Sequence, residues 1–376
     1  MQQLDRISAR VWSLNTSPAD DVERAARAFS DAPGVAVVAT CTRVEAYAAD
    51  DRAFDEYDLP GAALTAWPAL EHLAIVAAGA DSLVVGEIDV LAQVRAAFAD
   101  ASGDLRAFGD AAVAAGREAR LAVDVEARNA GLQLDLALRH AGAGTPSRVC
   151  IAGAGAMAGH LARRARALGV ADVRMFSRHH SRAIAAAVAA GAIAAPIEEL
   201  PAASAGACLV LAFKGVPEPG MRSAVVDAAR VAGLVVDLTM PRFAWPADVS
   251  APVIDLAALV RGDVLSPAER YLRERLAVAA ASAARRQWAH DHGDGAEAVR
   301  QLYRHVEGVR RAEIERAGAL HEREQLLLDN VTKALVKRLF HTYGKALRAG
   351  DDASVVATHR LFLAAESVTG DLLSGP

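Results

Sequence analysis

Ser147-Arg-Val-Cys-Ile-Ala-Gly-Ala-Gly-Ala-Met-Ala-Gly-His-Leu161 decides the fold of the middle of the chain. Val149 to Ala152 are a short apolar run of strand length, and Gly153-x-Gly155-x-x-Ala158 follows at once, opening a helix-forming stretch. Strand, glycine turn and helix in that order suit the pyrophosphate of a dinucleotide. Gly153 permits the tight turn, Gly155 lets phosphate approach the backbone, and Ala158 allows close helix packing. The helix N-terminus, carrying Ala156 and Met157, faces the anion. A second strand, Val173-Arg-Met-Phe176, ends in Ser177-Arg178 where an acidic residue would hold a ribose 2′-hydroxyl. Serine and arginine suit a 2′-phosphate instead, so the expected cofactor is NADPH. The alternative reading is a structural strand-to-helix turn. Further apolar runs at 207–213, 233–239 and 253–256 continue an open parallel sheet. Such sheets bind ligands at the C-terminal ends of their strands, which places Phe213, Lys214 and Thr239 beside the nicotinamide half.

A second informative stretch is Val35-Ala-Val-Val-Ala-Thr-Cys-Thr-Arg-Val-Glu-Ala-Tyr47. Val35, Val37 and Val38, bounded by Pro33-Gly34, read as a buried strand. It ends in polar chemistry: Thr40, Cys41, Thr42, Arg43 and Glu45. A cation beside a thiol lowers its pKa and raises the nucleophilic thiolate fraction, so Arg43 is expected to activate Cys41. The alternative is that Cys41 is one more small buried hydrophobe. Ser8 to Leu14 read as a first strand, with Ser17-Pro18 as a helix cap, and residues 50–66 as acidic and irregular. His72 and Leu73 open a helix that ends near Gly79, and Val90, Leu91, Val94 and Phe98 mark another from about Ile88. The polar loop between them carries Asp81, Ser82, Gly86 and Glu87 and could line a site. Taken alone, His72 reads as a surface or satisfied core histidine. Helix continues over 104–142, with Arg117 and Arg120, to a break at Gly142–Pro146.

The 376 residues allow two or three domains, and a net charge of −5 excludes a general nucleic-acid binder. Three scattered cysteines cannot make a disulfide framework, and none shows metal-ligand spacing, so no metal is expected. Cys150 and Cys208 fall mid-strand and read as inert core. No apolar leader opens the chain and no uncharged run reaches about 20 residues, so a cytoplasmic protein with no membrane span is expected. From Ser266-Pro267, with Glu269 completing a cap pattern, the chain reads as helix. Tyr271, Leu272, Leu276, Ala279 and Ala283 mark one apolar face; Val299, Leu302, Val306, Val309, Leu326–Leu328, Val331, Leu335 and Leu339 continue it. An amphipathic helical tail without a partner in the chain is most simply a dimerisation module. The basic stretch of Lys333, Lys337, Arg338, His341, Lys345 and Arg348 reads as a solvated helix face before it reads as a nucleic-acid contact.

Taken together, these blocks resemble glutamyl-tRNA reductases. That family's Ser-Thr-Cys-Asn-Arg-Thr-Glu-x-Tyr block is similar to Ala39–Tyr47, its His-Leu to Gln-Val block to His72–Val94, its Gly-Ala-Gly-Glu-Met block to Gly153–Met157, and its Asp-x-Ala-x-Pro-Arg block to Asp237–Arg242. The resemblance implies an α/β multidomain chain. It would hold an N-terminal α+β catalytic domain (1–142), a Rossmann-type NADPH domain (143–264), and a long helix leading to an all-helical dimerisation domain (265–376) in a V-shaped homodimer. It implies that Cys41 attacks the aminoacyl ester of a charged tRNA, and that NADPH reduces the resulting thioester to an aldehyde. Arg43 would clamp a substrate carboxylate; Thr40, Ser82, Glu87 and Gln93 would line the aminoacyl site; His72 would orient or donate a proton. A downstream enzyme could collect the aldehyde.

The chain departs from the family at Thr42, Val44, Ile88-Asp89, Ala92, Ala156, Ala212-Phe-Lys214 and around Arg120-Leu-Ala-Val, and lacks the family's N-terminal Gly-x-Asn-His-Lys-Thr-Ala block. Losing a buried hydrogen-bond partner costs about 1–3 kcal/mol, enough to change ligand choice. Besides reduction of glutamyl-tRNA, two alternatives follow. One is a paralogue with the same chemistry on another aminoacyl- or peptidyl-tRNA or acyl donor; the other is a non-catalytic binding or regulatory homologue.

Overall fold

Strand β1 (Ser8–Ser13) is the spine of the first sheet, pairing on both sides. Helix α1 (Ala19–Ala28) follows it, then β2 (Val35–Ala39) and β3 (Arg43–Ala48), and β4 (Ala62–Thr65) closes the far edge. The antiparallel order is β2-β3-β1-β4. The sequence reading stopped one strand short here. Thr40–Thr42 is the turn of a hairpin, and the residues read as trailing polar chemistry are strand β3. Every residue of β3 is buried, so it lacks the polar-out alternation that marks a strand, and its charges at 43 and 45 disguised it further. The irregular 50–66 stretch likewise contains β4, whose Ala-Ala-Leu-Thr has weak strand propensity and is held by pairing with β1. The computed structural model describes residues 4–126, 128–262, 264–292, 306–312, 314, 324 and 326–336.

Helix α2 (Ala66–Ala78) starts six residues before His72, with Pro68 tolerated in its first turn, and ends at Gly79 in the left-handed conformation, φ +78°. Helices α3 (Asp89–Ala97) and α4 (Gly103–Val123) pack against it. The expected helix over 104–142 breaks at Asp124, φ +56°, and resumes as α5 (Gln133–His140).

The second sheet is built from β5 (Arg148–Ala152), α6 (Ala156–Ala167), β6 (Asp172–Phe176), α7 (His180–Ala190), β7 (Ile193–Ala195), α8 (Leu200–Ala203), β8 (Cys208–Leu211), α9 (Pro219–Val231), β9 (Leu234–Asp237) and β10 (Val253–Asp255). All pairs are parallel and the order is β10-β9-β8-β5-β6-β7, the doubly wound arrangement of a dinucleotide-binding fold. The order reverses between β5 and β8, where ligands bind such sheets. Alternate residues feed opposite cores: Val149 and Ile151 pack on one face, Cys150 and Ala152 on the other. Cys150 and Cys208 are buried core, and burial holds their thiols at about 11 and about 12.

Asp255 caps α10 (Leu256–Arg261), accepting from Ala258 N at 2.6 Å. Helix α11 (Pro267–His292) begins with the expected reciprocal cap: Glu269 N donates to Ser266 Oγ (3.2 Å), and Ser266 N donates to Glu269 Oε2 (2.9 Å). Residues Met1–Ala284 form one compact unit and Arg285–Pro376 another. Within the second, helix is described over 306–312 and 326–336, and the buried Arg310 links the two segments through Asp329 (2.7 Å) and Thr332 Oγ1 (3.1 Å). The expected face at Val299 and Leu302, and the basic stretch from Lys337 to Arg348, lie outside the described residues. Among the described residues no helix is long and apolar enough to cross a membrane.

Candidate active site

Cys41 sits in the β2–β3 turn. Thr40 N donates to Arg43 O (3.0 Å), Thr42 N to Thr40 Oγ1 (3.3 Å), and Leu14 N to Thr42 O (2.9 Å), so both neighbours of the cysteine are fixed. Cys41 itself remains half-buried, the most accessible of the three thiols. Protein nevertheless surrounds the sulfur. Burial first, then the Glu87 carboxylate, pushes the thiol up to about 12, while Gln133 and, more weakly, Arg43 pull it down. The expected activation by Arg43 is thus minor, because the guanidinium is spent elsewhere.

That guanidinium is buried and doubly paired: Nη1 to Glu45 Oε1 at 3.1 Å and Nη2 to Asp81 Oδ2 at 2.7 Å, with a further bond to the Asp81 carbonyl. Burial opposes its charge, and the two carboxylates hold that charge on. Glu45 is the hub, fully buried. It also accepts from the Tyr47 hydroxyl (2.6 Å) and binds His72 Nε2 (2.9 Å). Burial alone would raise the Glu45 carboxyl; His72, Arg43 and Tyr47 overcome that and hold it at about 2. The same pairing raises His72 above an ordinary histidine, against the effect of burial.

The 79–88 loop supplies the opposite wall. A Cβ at Gly79 would press on the Glu87 backbone (2.8 Å), and Arg120 pins the loop through Ala78 O (3.0 Å) and Gly86 O (2.8 Å). Ser82 is buried in it and its carbonyl accepts from Arg273 (3.1 Å). Glu87 is buried too, and burial with the nearby Asp89 pushes its carboxyl to about 7. Cys41, Thr40, Arg43, His72, Ser82 and Glu87 therefore share one neighbourhood, while Gln93 stands exposed on α3 and joins no part of this network. Sequence reasoning missed Glu45 as the hub, Asp81 as the second partner of Arg43, and Gln133. Glu45 and Tyr47 carried a signal, since 43, 45 and 47 fall on one face of a strand. Gln133 carried none.

The residues of the doubly wound sheet fit a dinucleotide. Gly153 has φ +146° and any Cβ there would run into the Ala212 carbonyl, so only glycine makes the turn. Gly155 caps α6 and faces open space, with nothing within 4 Å of a Cβ. Ala156 and Met157 follow in the first turn. Beside them a cleft of about 380 Å³ opens between α6 and α7, walled by His160, Arg163 and Arg182. Ser177 and Arg178 follow β6; Ser177 Oγ accepts from His179 N (3.4 Å), and exposed Arg178 pairs with Glu218 (2.5 Å). Phe213 is half-buried and Lys214 exposed beyond β8. Thr239 faces inward: it is buried, and its hydroxyl donates to Asp237 Oδ1 (2.7 Å). Among the described residues no cluster of His, Cys, Asp or Glu could hold a metal ion.

Comparison with known proteins adds an independent line. Residues 8–119 match the family model for the "Glutamyl-tRNAGlu reductase, N-terminal domain", and 277–364 that for its dimerisation domain. Glutamyl-tRNA reductase of Deinococcus radiodurans is 30% identical over 64% of this chain and 79% of the relative. That of Renibacterium salmoninarum is 28% identical over 97% of this chain and 92% of the relative. Among solved structures, glutamyl-tRNA reductase from Methanopyrus kandleri is similar over 96% of this chain and 99% of that one, at 23% identity and a TM-score of 0.40.

Proposed function

We propose, from the fact that the chain belongs to the glutamyl-tRNA reductase family, that it reduces glutamyl-tRNA to glutamate 1-semialdehyde with NADPH, as a homodimer. The observation that carries this reading is Cys41, a partly accessible thiol fixed at a hairpin turn and ringed by the residues the aminoacyl group would need. In the first half-reaction the Cys41 sulfur bonds to the ester carbonyl carbon and the bond to the tRNA 3′-oxygen breaks. The thiol proton leaves with that oxygen. Glu87, held near 7 and acting on the sulfur, would carry it, with His72, raised by Glu45, the second candidate. A thioester accepts hydride better than an ester, so this step prepares the second. NADPH, when bound, supplies the hydride that turns the thioester into the aldehyde.

Gly153, Gly155, Ala156 and Met157 would cradle the pyrophosphate, Ser177 and Arg178 the 2′-phosphate, and Phe213 and Lys214 would border the nicotinamide. Arg178 would exchange Glu218 for phosphate, and Arg43 would exchange the partly exposed Asp81 for the substrate carboxylate. Thr40 and Ser82 would hydrogen-bond the aminoacyl group. Residues 1–142, 143–264 and 265–376 would be the catalytic, NADPH and dimerisation parts. The reaction would run in the cytoplasm, which supplies charged tRNA, and an enzyme that consumes the aldehyde would be its partner.

Single turnover with purified charged tRNAs and NADPH tests the reading. Glutamyl-tRNA should yield aldehyde, and Cys41→Ser should abolish it. Aldehyde formed equally fast by Cys41→Ser, or by no charged tRNA at all, would overturn it.

A further inference from the structure

Gln133 begins α5 with 0% of its surface exposed. Its Nε2 donates toward Cys41 Sγ at 3.8 Å, across 92 residues of sequence. Its Oε1 is buried with no partner. Native folds keep few such orphaned acceptors, because an unpaired buried carbonyl oxygen is destabilising. The side chain is also firmly placed. Asn129 Oδ1 accepts from Gly131 N (2.9 Å), a Cβ at Gly131 would press on the His160 carbonyl (2.6 Å), and Asp135 pairs with Arg164 of α6 (2.7 Å). The amide is thus held against the nucleophile by the helix that opens the dinucleotide fold.

We propose that Gln133 is a catalytic residue serving both partners of the acyl transfer: its N–H stabilises the Cys41 sulfur as thiolate, and its Oε1 accepts a hydrogen bond from the α-ammonium of the aminoacyl group. The second half rests on the reading of the substrate as an aminoacyl ester; the first does not. In an α-aminoacyl ester the ammonium nitrogen is bonded to the carbon next to the carbonyl under attack. A planar amide that reaches the sulfur with one end presents its other end beside that nitrogen. The orphaned oxygen gains its missing donor when such a substrate binds, and an N-acylated ester, which has lost the charge and most of the donors, cannot supply it as well. Gln133 forms no covalent bond and nothing is oxidised or reduced in the step. The site therefore selects esters with a free α-amine.

Full-length Gln133→Met, close in volume but without the amide, tests both halves. Alkylation of Cys41 by iodoacetamide, located by peptide mass, is followed against pH. Near pH 8, far below the raised value of the thiol, the variant should alkylate roughly tenfold more slowly than the parent, the equivalent of about one unit of thiol pKa. Single turnover compares glutamyl-tRNA with N-acetylglutamyl-tRNA; the parent should prefer the free amine and Gln133→Met should lose that preference. Gln133→Glu separates the roles, slowing alkylation while keeping the amine preference, and reads the sulfur half if the methionine variant fails to fold. An unmoved alkylation profile in a folded variant overturns the sulfur half, and an unmoved amine preference overturns the ammonium half. A parent that never forms a thioester, but whose alkylation still responds to Gln133, overturns the reductase reading and leaves the sulfur half standing.

Discussion

At the scale of single residues, Glu45 sets the charge state of the site. Its carboxylate is held at about 2, so it contributes stability that is complete above its ordinary 4.5 and lost as pH falls from there toward 2. His72 is raised, so its share is complete below 6.5 and lost as pH climbs through its raised value. Urea unfolding should therefore show stability falling below about pH 4.5 as Glu45 is protonated, and falling above it first through Glu87, whose carboxyl is held near 7 against an ordinary 4.5, and then through His72; His72→Gln should remove only the part of the fall above about pH 6.5 that His72 contributes. Glu45→Gln should cost about 3–5 kcal/mol, since it strands a buried guanidinium beside one carboxylate. A second prediction concerns Glu87, whose carboxyl burial and Asp89 hold near 7. Above that pH it is charged and pushes the Cys41 thiol upward. Glu87→Gln should thus speed alkylation of Cys41 near pH 8 by about tenfold, one unit of thiol pKa; an unchanged rate would mean that Glu87 does not act on the sulfur. Cys41 and Arg43 were legible from the motif as a thiol and a cation at a strand end. What Arg43 was doing was not, because Asp81 reaches it from 38 residues away and local sequence does not encode that pairing.

At the scale of elements, the strands of the doubly wound sheet were readable because both faces are buried, leaving unbroken apolar runs. The strands that escaped, β3, β4 and β7, are charged, alanine-rich or three residues long, and exist through their neighbours. The glycine turn after β5 was legible as chemistry, and the structure adds its reason. Gly153→Ala combines a φ of +146° with a collision against Ala212, so it should cost about 3 kcal/mol or more and weaken NADPH binding in a fluorescence titration. The end of β6 predicts cofactor choice in both directions. Arg178→Ala should narrow the preference for NADPH over NADH by about tenfold, one charge-assisted contact. Glu218→Gln should widen it, because it releases Arg178 from its ion pair. If both variants left the ratio of the two dissociation constants unchanged, the 2′-phosphate would be read elsewhere.

For the molecule as a whole, the question is how a thiol on one sheet and a cofactor on another are kept in register. Within Met1–Ala284 the ties are specific: Arg242, past β9, bonds Asp20 (2.6 Å) and, through its backbone, Glu23 (2.8 Å) of α1. Glu269 at the start of α11 holds Arg128 (2.9 Å) and Arg139 (3.1 Å), and Arg273 one turn on holds the Ser82 loop. The sequence showed the α11 cap but none of these ties, whose partners lie more than a hundred residues apart. Dimerisation makes the opposite case, legible as a pattern and placed by the match at 277–364. On the described helix 326–336, Leu328, Val331 and Leu335 fall three and four residues apart, and in the single chain they are 36%, 55% and 57% exposed. Leucine and valine exposed at that spacing form a stripe suited to cover by a partner surface. Val331→Asp would set an unpaired charge in that stripe, and it should weaken dimerisation more than about a hundredfold, turning dimer into monomer in sedimentation velocity at micromolar concentration. All the residues assembled around Cys41 belong to Met1–Ala284, so the monomeric variant should keep the parent's alkylation rate and pH profile. A dimer that persists would move the interface off this stripe, and a monomer with an altered thiol profile would mean that the partner subunit shapes the site.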